Sequence, residues 1–423
     1  MSELVRGLDN QSNLLNVKLE RLIDGVRNQS HLLNRKIGEV VKTLEHLDEK
    51  MVAEGGPPKD RSGPRHSPVD WRSQPKPPSP APAAVRQERT APNDLEAFGD
   101  VFKGIEPWRG YVPPRCLVDF LGMVTDIQFY PMLFTDPNFN PDAVGGGYEE
   151  TAVPRLADAK TAADAEAWFE AADWVISARE ARGRYVMVTL GANYGAQAVG
   201  AYRALQTINP MPYKLVAVEP VPANVDWIKQ HMSNNGIDPD QHLILPLAVS
   251  DSIEPLLFPV GGAGIGANNA FSTNERDARI RYAEEFIAGG AASEALRNLL
   301  VDNTTGLMQE LVPGHDFTGE IKLISSITLN ELLGPFEMVD LLESDIQQSE
   351  ILVFPPFMDV LRRKVRRIHI GTHGDDVHTK LHNVFADNGW EIVFSFKPNS
   401  RYQTALGSFE TNDGVLTVRN PAL

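Results

Sequence analysis

Cysteine is nearly absent from this sequence, in which Cys116 is the single one among 423 residues. A lone thiol excludes an internal disulfide and fits a reducing compartment. Long apolar runs are absent as well, since no window approaches the roughly 20 apolar residues that a membrane-spanning helix needs. The first residues mix acids such as Glu3 and Asp9 with apolar positions, which does not fit a signal peptide. We therefore expect a cytoplasmic protein without a membrane span.

Positive charge is also scarce. The chain has 40 lysine and arginine residues against 56 aspartate and glutamate residues, a formal net charge of -16. Residues 1–97 are nearly balanced, so the excess of acid falls on residues 98–423. An acidic surface repels a phosphate backbone, and the composition therefore argues against general nucleic-acid binding.

Residues 1–52 contain an internal repeat. The run from Asn10 to Asn16 returns from Asn28 to Asn34, and this offset is a whole number of helical turns. Apolar residues step mostly by three and four, as in a coiled coil: Leu15, Leu19, Leu22, Val26, Leu33, Ile37, Val40, Leu44, Leu47 and Met51. Because so narrow an apolar stripe needs a partner, the pattern predicts a coiled-coil helix that forms a homo-oligomer. The alternative is a helix that packs on its own domain.

Residues 53–97 have the composition of a linker. Ten prolines, mixed with serine, glycine, arginine and lysine, remove backbone donors and leave few core-forming side chains. This composition predicts an extended, disordered segment.

Residues 98–183 are again apolar and aromatic. Trp168, Ala171, Ala172, Val175 and Ala178 recur at helical spacing, which predicts a helix over 162–182 that packs on a sheet. We interpret residues 98–183 as an N-terminal extension of a catalytic domain, covering one sheet edge or the site.

Residues 184–423 alternate strand and helix patterns, which predicts a mostly parallel α/β sheet with helices on both faces. The last two of the seven predicted strands are joined without a helix, as an antiparallel hairpin at one edge. The strands are predicted at 185–190, 214–219, 243–249, 339–346, 367–372, 391–396 and 414–418. Residues 251–330 interrupt the pattern with a glycine-rich loop and a charged helix over 276–300. We expect this insertion to be a substrate lid.

The first strand of this domain ends in a glycine loop, Gly191-Ala192-Asn193-Tyr194-Gly195, and the second strand ends at Glu219. Glycines let the backbone approach a ligand at a helix N-terminus, and an acid after the second strand can bond a ribose diol. A dinucleotide fingerprint needs three glycines to seat a pyrophosphate, whereas this loop has two. The spacing favours a nucleoside without phosphate, such as S-adenosylmethionine, over a nicotinamide cofactor. A turn that binds no ligand is the plainer alternative.

Several ordered blocks together resemble the FkbM family of S-adenosylmethionine-dependent methyltransferases. The blocks are residues 190–195, 218–224, 234–236, 247–251, 340–350 and 368–373, with Gly389-Trp390 closing the last one. This resemblance spans roughly residues 184–396 and implies a Rossmann-like class I methyltransferase fold. The coiled-coil helix lies outside it.

The resemblance also implies roles for individual residues. Gly191, Asn193 and Gly195 would cradle S-adenosylmethionine, Glu219 would bond the ribose hydroxyls, and Asp251 would lie near the adenine. Asp251 could equally be a turn residue at the start of the insertion.

Asp345 and His373 lie at the ends of the fourth and fifth predicted strands, at the edge where open α/β sheets bind ligands. Methyl transfer from a sulfonium requires an aligned nucleophilic oxygen and a group that takes up its proton. Asp345 would orient the methionine amino group or the acceptor hydroxyl. His373 is predicted to be the general base, because an imidazole titrates near neutral pH, and its alternative is a histidine that caps or packs. Glu350 is predicted to start the helix that follows.

The chain departs from the family at two places. Thr189 replaces an acid that helps hold the amino acid part of the cofactor, and the flexible glycine of the fourth-strand motif is lost at Gln347-Gln348. His378 and His382 have the i, i+4 spacing of zinc ligands. The glutamate of an H-E-x-x-H motif is absent, however, and we expect no metal.

The sequence thus predicts an S-adenosylmethionine-dependent O-methyltransferase. A sugar or glycan hydroxyl is the expected acceptor, because the family is associated with glycan and natural-product pathways. The alternative is a degenerate methyltransferase fold that assembles partners through its coiled coil. A nicotinamide oxidoreductase is a third possibility, disfavoured by the missing glycine.

Overall fold

The computed structural model describes residues 87–90, 95–130, 133–134, 138–253, 255–260 and 320–423. The predicted coiled coil of residues 1–52 lies outside the described residues. So do most of the predicted linker and the glycine-rich loop and charged helix of the predicted insertion.

Strands make up much of the described chain. They are β1 (Gln87–Thr90), β2 (Arg109–Val112), β3 (Cys116–Val118), β4 (Val124–Asp126), β5 (Gly147–Glu150), β6 (Tyr185–Leu190), β7 (Tyr213–Val218), β8 (Leu243–Leu245), β9 (Ala248–Val249), β10 (Pro255–Val260), β11 (Glu320–Ile327), β12 (Val339–Ser344), β13 (Val365–Thr372), β14 (Glu391–Phe396), β15 (Ser400–Thr404), β16 (Gly407–Thr411) and β17 (Gly414–Arg419).

Helices connect most of the central strands. The α-helices are α1 (Ala162–Glu180), α2 (Ala196–Ile208), α3 (Pro222–Asn234), α4 (Leu329–Leu333), α5 (Glu350–Val353), α6 (Met358–Lys364) and α7 (Asp375–Asp387). Short 3-10 helices lie at Leu95–Phe98, Ile127–Phe129, Pro141–Ala143, Leu156–Asp158, Pro239–Gln241 and Pro355–Phe357. Among the described helices, none is both long enough and apolar enough to cross a membrane.

Seven strands form the central sheet, in the order β14-β17-β13-β12-β6-β7-β8. The neighbouring pairs from β13 to β8 are parallel, whereas β17 runs antiparallel to both β13 and β14. These seven strands correspond to the seven predicted ones, and the antiparallel pair lies at one edge as expected. The prediction of a Rossmann-like, mostly parallel α/β fold is confirmed.

The third predicted strand, over residues 243–249, is divided in the structure. β8 joins the central sheet, whereas β9 joins a separate sheet of order β10-β11-β9. Pro246 lies between them, and a proline has no backbone N–H with which to continue a ladder of hydrogen bonds. The two ends of the predicted insertion, β10 and β11, form an antiparallel pair in that separate sheet.

The end of the predicted linker also differs from expectation. β1 pairs in parallel with β15, which pairs with β16 in turn, and Leu95 is buried. The polar sequence of β1 has no apolar pattern from which a strand could be predicted. An edge strand does not need one, since it can pair through its backbone groups alone. The folded region therefore includes residues 87–90, ahead of the predicted boundary at residue 98.

Apolar side chains cover both faces of the central sheet. Within β6, Met187 packs in one buried cluster, whereas Val186 and Val188 pack in the other. Parallel strands that are buried on both faces have nearly continuous apolar runs, which makes their pattern strong in the sequence.

Helix α1 packs on one face of the sheet, against β12, β13 and β17, as the pattern over 162–182 predicts. Its N-terminus has a capping box, in which the Thr161 hydroxyl accepts from the Asp164 N–H and the Asp164 carboxylate accepts from the Thr161 N–H. Gly200 lets α2 approach α1 closely, because a Cβ there would overlap the ring of Trp174. This packing holds the polar side chains of α1 over the middle of the sheet.

Candidate functional site

Three chain segments meet at the carboxyl edge of the central sheet, where Gly191 follows β6, Glu219 follows β7 and Asp345 follows β12. Backbone hydrogen bonds join them. The Gly191 N–H donates to the Val218 carbonyl at 3.0 Å, and the Asp345 N–H donates to the Leu190 carbonyl at 3.0 Å. The structure thus brings together three of the predicted site segments, at the edge where open α/β sheets bind ligands.

The glycine at position 191 has a backbone neighbour. Gly191 adopts a φ of +74°, and a Cβ there would overlap the carbonyl oxygen of Asp345. Ordinary residues rarely adopt this conformation, and the close approach excludes a side chain outright. In the structure, the backbone directly after β12 is the reason why position 191 must be glycine. The sequence alone suggests a different reason, the close approach of a ligand.

The Glu219 side chain is buried and holds the glycine loop. Its Oε2 accepts from the Asn193 N–H at 2.8 Å, while its Oε1 accepts from the Val221 N–H at 2.9 Å and from Asn224 Nδ2 at 3.2 Å. Burial raises the pKa of Glu219 to about 7, although these three hydrogen bonds act in the opposite direction. The acid predicted to face a ribose is therefore fixed in place by the protein.

A cavity adjoins the Glu219 carboxylate. Asn193 and Asn224 contribute polar groups to its lining, and Leu247, Val249 and Ile346 contribute apolar ones. A cavity with a few convergent polar groups and an apolar wall is typical of a small-molecule site.

Asp251 is placed differently. It follows β9, and its Oδ1 accepts hydrogen bonds from the hydroxyls of Ser250 at 3.3 Å and Ser252 at 3.2 Å. Asp251 is not among the residues that line the cavity beside Glu219. Its contacts fit the predicted alternative, a turn residue at the start of the insertion.

His373 lies among three carboxylates. Its Nε2 is 3.3 Å from Asp345 Oδ1 and 3.6 Å from Asp413 Oδ1, and its Nδ1 is 3.5 Å from Glu350 Oε1. Glu350 begins α5, as predicted, and its Oε1 also accepts from the Ile346 N–H at 2.9 Å. The sequence brings Asp345 and His373 to this edge, but it gives no sign that Asp413 joins them from the loop before β17.

These carboxylates change the chemistry expected of His373. Burial lowers its pKa, but the charges of Asp413, Asp345 and Glu350 outweigh burial and raise the pKa of His373 to about 10. At neutral pH the ring is therefore an imidazolium, which cannot accept a proton. The predicted role of His373 as general base does not fit these surroundings. A role as a positive charge that orients the neighbouring carboxylates fits them.

The two glutamines that replace the family motif take unusual backbone conformations, with φ of 54° at Gln347 and 74° at Gln348. Gln347 Nε2 donates to Asp345 Oδ1 at 2.9 Å and also lies 2.9 Å from His373 Nε2. Gln347 thus contacts both of the side chains that follow β12 and β13. Gln348 keeps the left-handed conformation for which glycine is the usual residue.

A second cavity shares Gly191 and Asp345 with the first. Ionisable side chains that the sequence does not single out contribute to its lining: Glu166, Glu170, Glu343, His369 and Asp413. Two of them, Glu343 and His369, adjoin apolar residues within predicted strands, and an ionisable residue in such a strand is the signal that could have revealed them.

His378 and His382, whose spacing suits a zinc site, both contact Ser395. His378 Nε2 and His382 Nδ1 each lie 3.0 Å from the Ser395 hydroxyl. His378 Nδ1 also lies 2.8 Å from the hydroxyl of Thr372. These hydrogen bonds join α7 to β14 and β13.

No family model matches this sequence, and no curated protein matches it. Among solved structures, a precorrin-6y C5,15-methyltransferase from Geobacter metallireducens is 11% identical, with 58% of this chain and 85% of that chain covered and a TM-score of 0.27. A methyltransferase FkbM from Methylobacillus flagellatus is 9% identical, with 56% and 44% covered and a TM-score of 0.31. Fibrillarin from Aeropyrum pernix, solved with natively bound S-adenosyl-L-methionine, is 12% identical, with 58% and 73% covered and a TM-score of 0.27. At these identities and TM-scores the matches do not establish a family, and membership of the FkbM family stays a prediction from the sequence motifs.

Proposed function

We propose that this protein transfers a methyl group from S-adenosylmethionine to a hydroxyl of a sugar or glycan. The observation that carries the proposal is the bond from the glycine loop to Glu219, between the Asn193 N–H and Glu219 Oε2, beside a cavity with an apolar wall. A nucleoside without phosphate suits such a cavity, because polar groups can orient its ribose while apolar side chains cover its base. The sugar or glycan acceptor is inferred from the resemblance to the FkbM family.

The donor groups fit this cofactor. A carboxylate offers about four acceptor positions, and the protein fills three of those on Glu219, which leaves one for a ribose hydroxyl. Leu247, Val249 and Ile346 would contact the adenine. When bound, S-adenosylmethionine would supply an electrophilic methyl group, and the C–O bond to the acceptor would form as the C–S bond of the sulfonium breaks.

The acceptor hydroxyl must lose its proton during the transfer, and Asp345 is the group that fits this task. Asp345 lines both cavities, at the sheet edge beside the proposed nucleoside site. The Asp345 side chain is 47% exposed, so a proton that its carboxylate accepts can pass to solvent. Asp345 would take the proton and release it to solvent, while the imidazolium of His373 holds the carboxylate in place.

Methyl transfer from labelled S-adenosylmethionine to a panel of sugars tests this proposal. We expect Asp345→Asn to lower turnover by about 100-fold or more, as for the loss of a general base, with cofactor affinity within about threefold. His373→Gln should lower turnover by about tenfold, because it removes an orienting charge and not the base. Asp387→Asn, the same change at the far end of α7, is the matched control.

Several outcomes would contradict these roles. A loss of turnover in His373→Gln as deep as in Asp345→Asn would contradict the assignment of the base. Labelling of no sugar by protein that binds the cofactor would contradict the acceptor class. Thr189, in place of the family acid, favours the degenerate scaffold as the second candidate, and a scaffold would bind neither S-adenosylmethionine nor its demethylated product.

We also propose that residues 1–52 assemble the chain into a homo-oligomer. The repeat in this segment supports the proposal, because it places apolar side chains on one helical face. Deletion of residues 1–52 should lower the particle mass in light scattering without a change in cofactor affinity. An unchanged mass would contradict this role.

A further inference from the structure

A row of polar side chains crosses the middle of the central sheet. In the strand register, Thr189 of β6 stands opposite Glu343 of β12, Glu343 opposite His369 of β13, and His369 opposite Thr417 of β17. All four side chains are buried, on the face that α1 covers with Glu170, Asp173 and Trp174. Buried polar groups nearly always have partners, so each member of this row needs an explanation.

Asp173 provides hydrogen-bond partners for the polar side chains at one end of the row. Its Oδ1 lies 3.0 Å from Arg367 Nη1, and its Oδ2 accepts from the Thr417 hydroxyl at 2.6 Å and lies 2.8 Å from His369 Nδ1. Because Asp173 holds Nδ1, the nitrogen of His369 that is left for a ligand is Nε2. Histidines that bind metals usually have this arrangement, in which the second ring N–H donates to a carboxylate.

At the other end of the row, two buried side-chain oxygens lack a hydrogen-bond partner among the described residues. Glu343 Oε2 accepts from Trp174 Nε1 at 3.1 Å, but Glu343 Oε1 and the Thr189 hydroxyl have no hydrogen-bond partner within the described part of the chain. Glu343 is 3% exposed and Thr189 is 2% exposed. Both line the cavity that Glu170 and His369 also line. Two buried, unpartnered oxygens therefore adjoin the same small space.

In the absence of a metal, the charge that offsets the carboxylates around this space is that of the His369 ring, which would release its Nε2 proton to a metal. Burial raises the pKa of both Glu343 and Glu170, and the charge of Glu170 raises the pKa of Glu343 further. Arg367, on the neighbouring strand β13, is already paired with Asp173 and Glu180. Two adjacent carboxylates in so small a space are costly to ionise, and a divalent cation between them would offset both charges, whereas one imidazolium offsets only one.

We propose that Glu170, Glu343 and His369 bind a divalent transition-metal ion, with the Thr189 hydroxyl as a further contact. Each of the three side chains offers one ligand atom, and these atoms lie within 4.8 Å of one another. The cavity of about 80 Å³ has room for an ion and a water molecule. Two carboxylates and an imidazole suit Mn²⁺, Fe²⁺ or Zn²⁺, whereas Ca²⁺ and Mg²⁺ prefer oxygen ligands.

Metal analysis of the full-length chain tests this site without cofactor or acceptor, so its failure is distinct from failure of the methyltransferase proposal. Protein stripped with EDTA and dialysed is incubated with Mn²⁺ and then freed of unbound ion. We expect about one Mn²⁺ per chain, and at saturating Mn²⁺ a rise in Tm of about 5 °C or more. Glu343→Gln should weaken Mn²⁺ binding about 100-fold or more.

Asp340→Asn is the matched control for Glu343→Gln. Asp340 lies on the same strand, is equally buried and accepts from the Val186 N–H, away from the proposed ligands. This variant should bind Mn²⁺ as the natural protein does, even if its Tm falls. Thr189→Val is a second variant that should fold in any case, because the lost hydroxyl has no protein partner, and it should weaken Mn²⁺ binding by about threefold to tenfold.

Three results would overturn the site. One is the absence of both bound Mn²⁺ and a change in Tm in the natural protein. Another is equal Mn²⁺ content in the natural protein and Glu343→Gln. The third is a protein that binds no metal but is stabilised by S-adenosylmethionine only when Glu343 is present, because the carboxylates would then bind the ammonium group of the cofactor.

Discussion

His369 and His373 lie four residues apart, within and just beyond β13, and both are surrounded by carboxylates. The partner of His369 is Asp173, whose side chain is 1% exposed and whose two oxygens are both bonded. The partners of His373 include Asp345 and Asp413, whose side chains are 47% and 46% exposed. The same residue types thus form a fixed network inside the sheet and, apart from the buried Glu350, a solvated cluster at its edge. The interior network can tolerate its charges only with permanent partners, whereas water shares the charges at the edge.

Removal of one carboxylate from each cluster should give the largest difference in stability between the interior network and the edge cluster. We expect Asp173→Ala to lower the free energy of unfolding by about 3–5 kcal/mol, because the buried side chains of Arg367 and His369 would both lose the carboxylate that lies nearest to them. Asp413→Ala should cost about 1 kcal/mol or less, because water replaces the exposed carboxylate. Urea unfolding of both variants at pH 7 measures the difference, and similar losses in the two would contradict the contrast.

The pH dependence of stability should next show the protons that the two histidines hold in EDTA-treated, metal-free protein. Despite burial, the neighbouring carboxylates raise the pKa of His369 to about 9 and that of His373 to about 10, from an ordinary value of 6.5. The folded protein therefore holds these protons more tightly than the unfolded chain does. The stability that they contribute is complete below pH 6.5 and is lost as the pH rises through 9 for His369 and 10 for His373.

Urea unfolding at pH 6.5, 8.0 and 9.5 checks this dependence. The loss of free energy between pH 6.5 and 9.5 should be smaller in His369→Gln and in His373→Gln than in the natural protein. Asp340→Asn serves as a control for the general loss of a buried group. The same loss with pH in all four proteins would show that neither histidine holds its proton more tightly in the folded state.

The smallest expected effect concerns the edge cluster alone. Gln348 has a φ of 74°, so Gln348→Gly should relieve strain and raise the free energy of unfolding by about 0.5–1 kcal/mol. Ser349→Gly is the control, because Ser349 has a φ of -72° and gains nothing from glycine. Thermal unfolding should move the two variants in opposite directions, and a stabilised Ser349→Gly would contradict the strain at Gln348.

The sequence predicts the central sheet well, because strands that are buried on both faces have continuous apolar runs. It predicts the edge positions Gly191, Glu219 and Asp345 for a related reason. Each residue follows such a strand directly, and the ends of parallel strands meet at one edge. The prediction of one continuous third strand over 243–249 was wrong, although Pro246 marks the place where the strand is divided.

The contacts across the sheet are a different matter. Asp413 reaches His373 only because β17 returns antiparallel beside β13, and no local pattern encodes that approach. The row that contains Glu343 and His369 depends on the register between the strands. Polar residues in distant segments of the sequence do not show which of them will stand opposite each other in that register. For the same reason, the carboxylates that make His373 an imidazolium could not be counted from the sequence.

Calorimetric titration with S-adenosylmethionine tests the nucleoside site most directly. We expect the natural protein to bind the cofactor and its demethylated product, and Glu219→Ala to bind each at least about tenfold more weakly, because it loses the proposed ribose contact and the bond that holds the Asn193 loop. Circular dichroism should show that Glu219→Ala remains folded. Absence of binding of either molecule to the natural protein, or equal affinity in Glu219→Ala, would contradict the site.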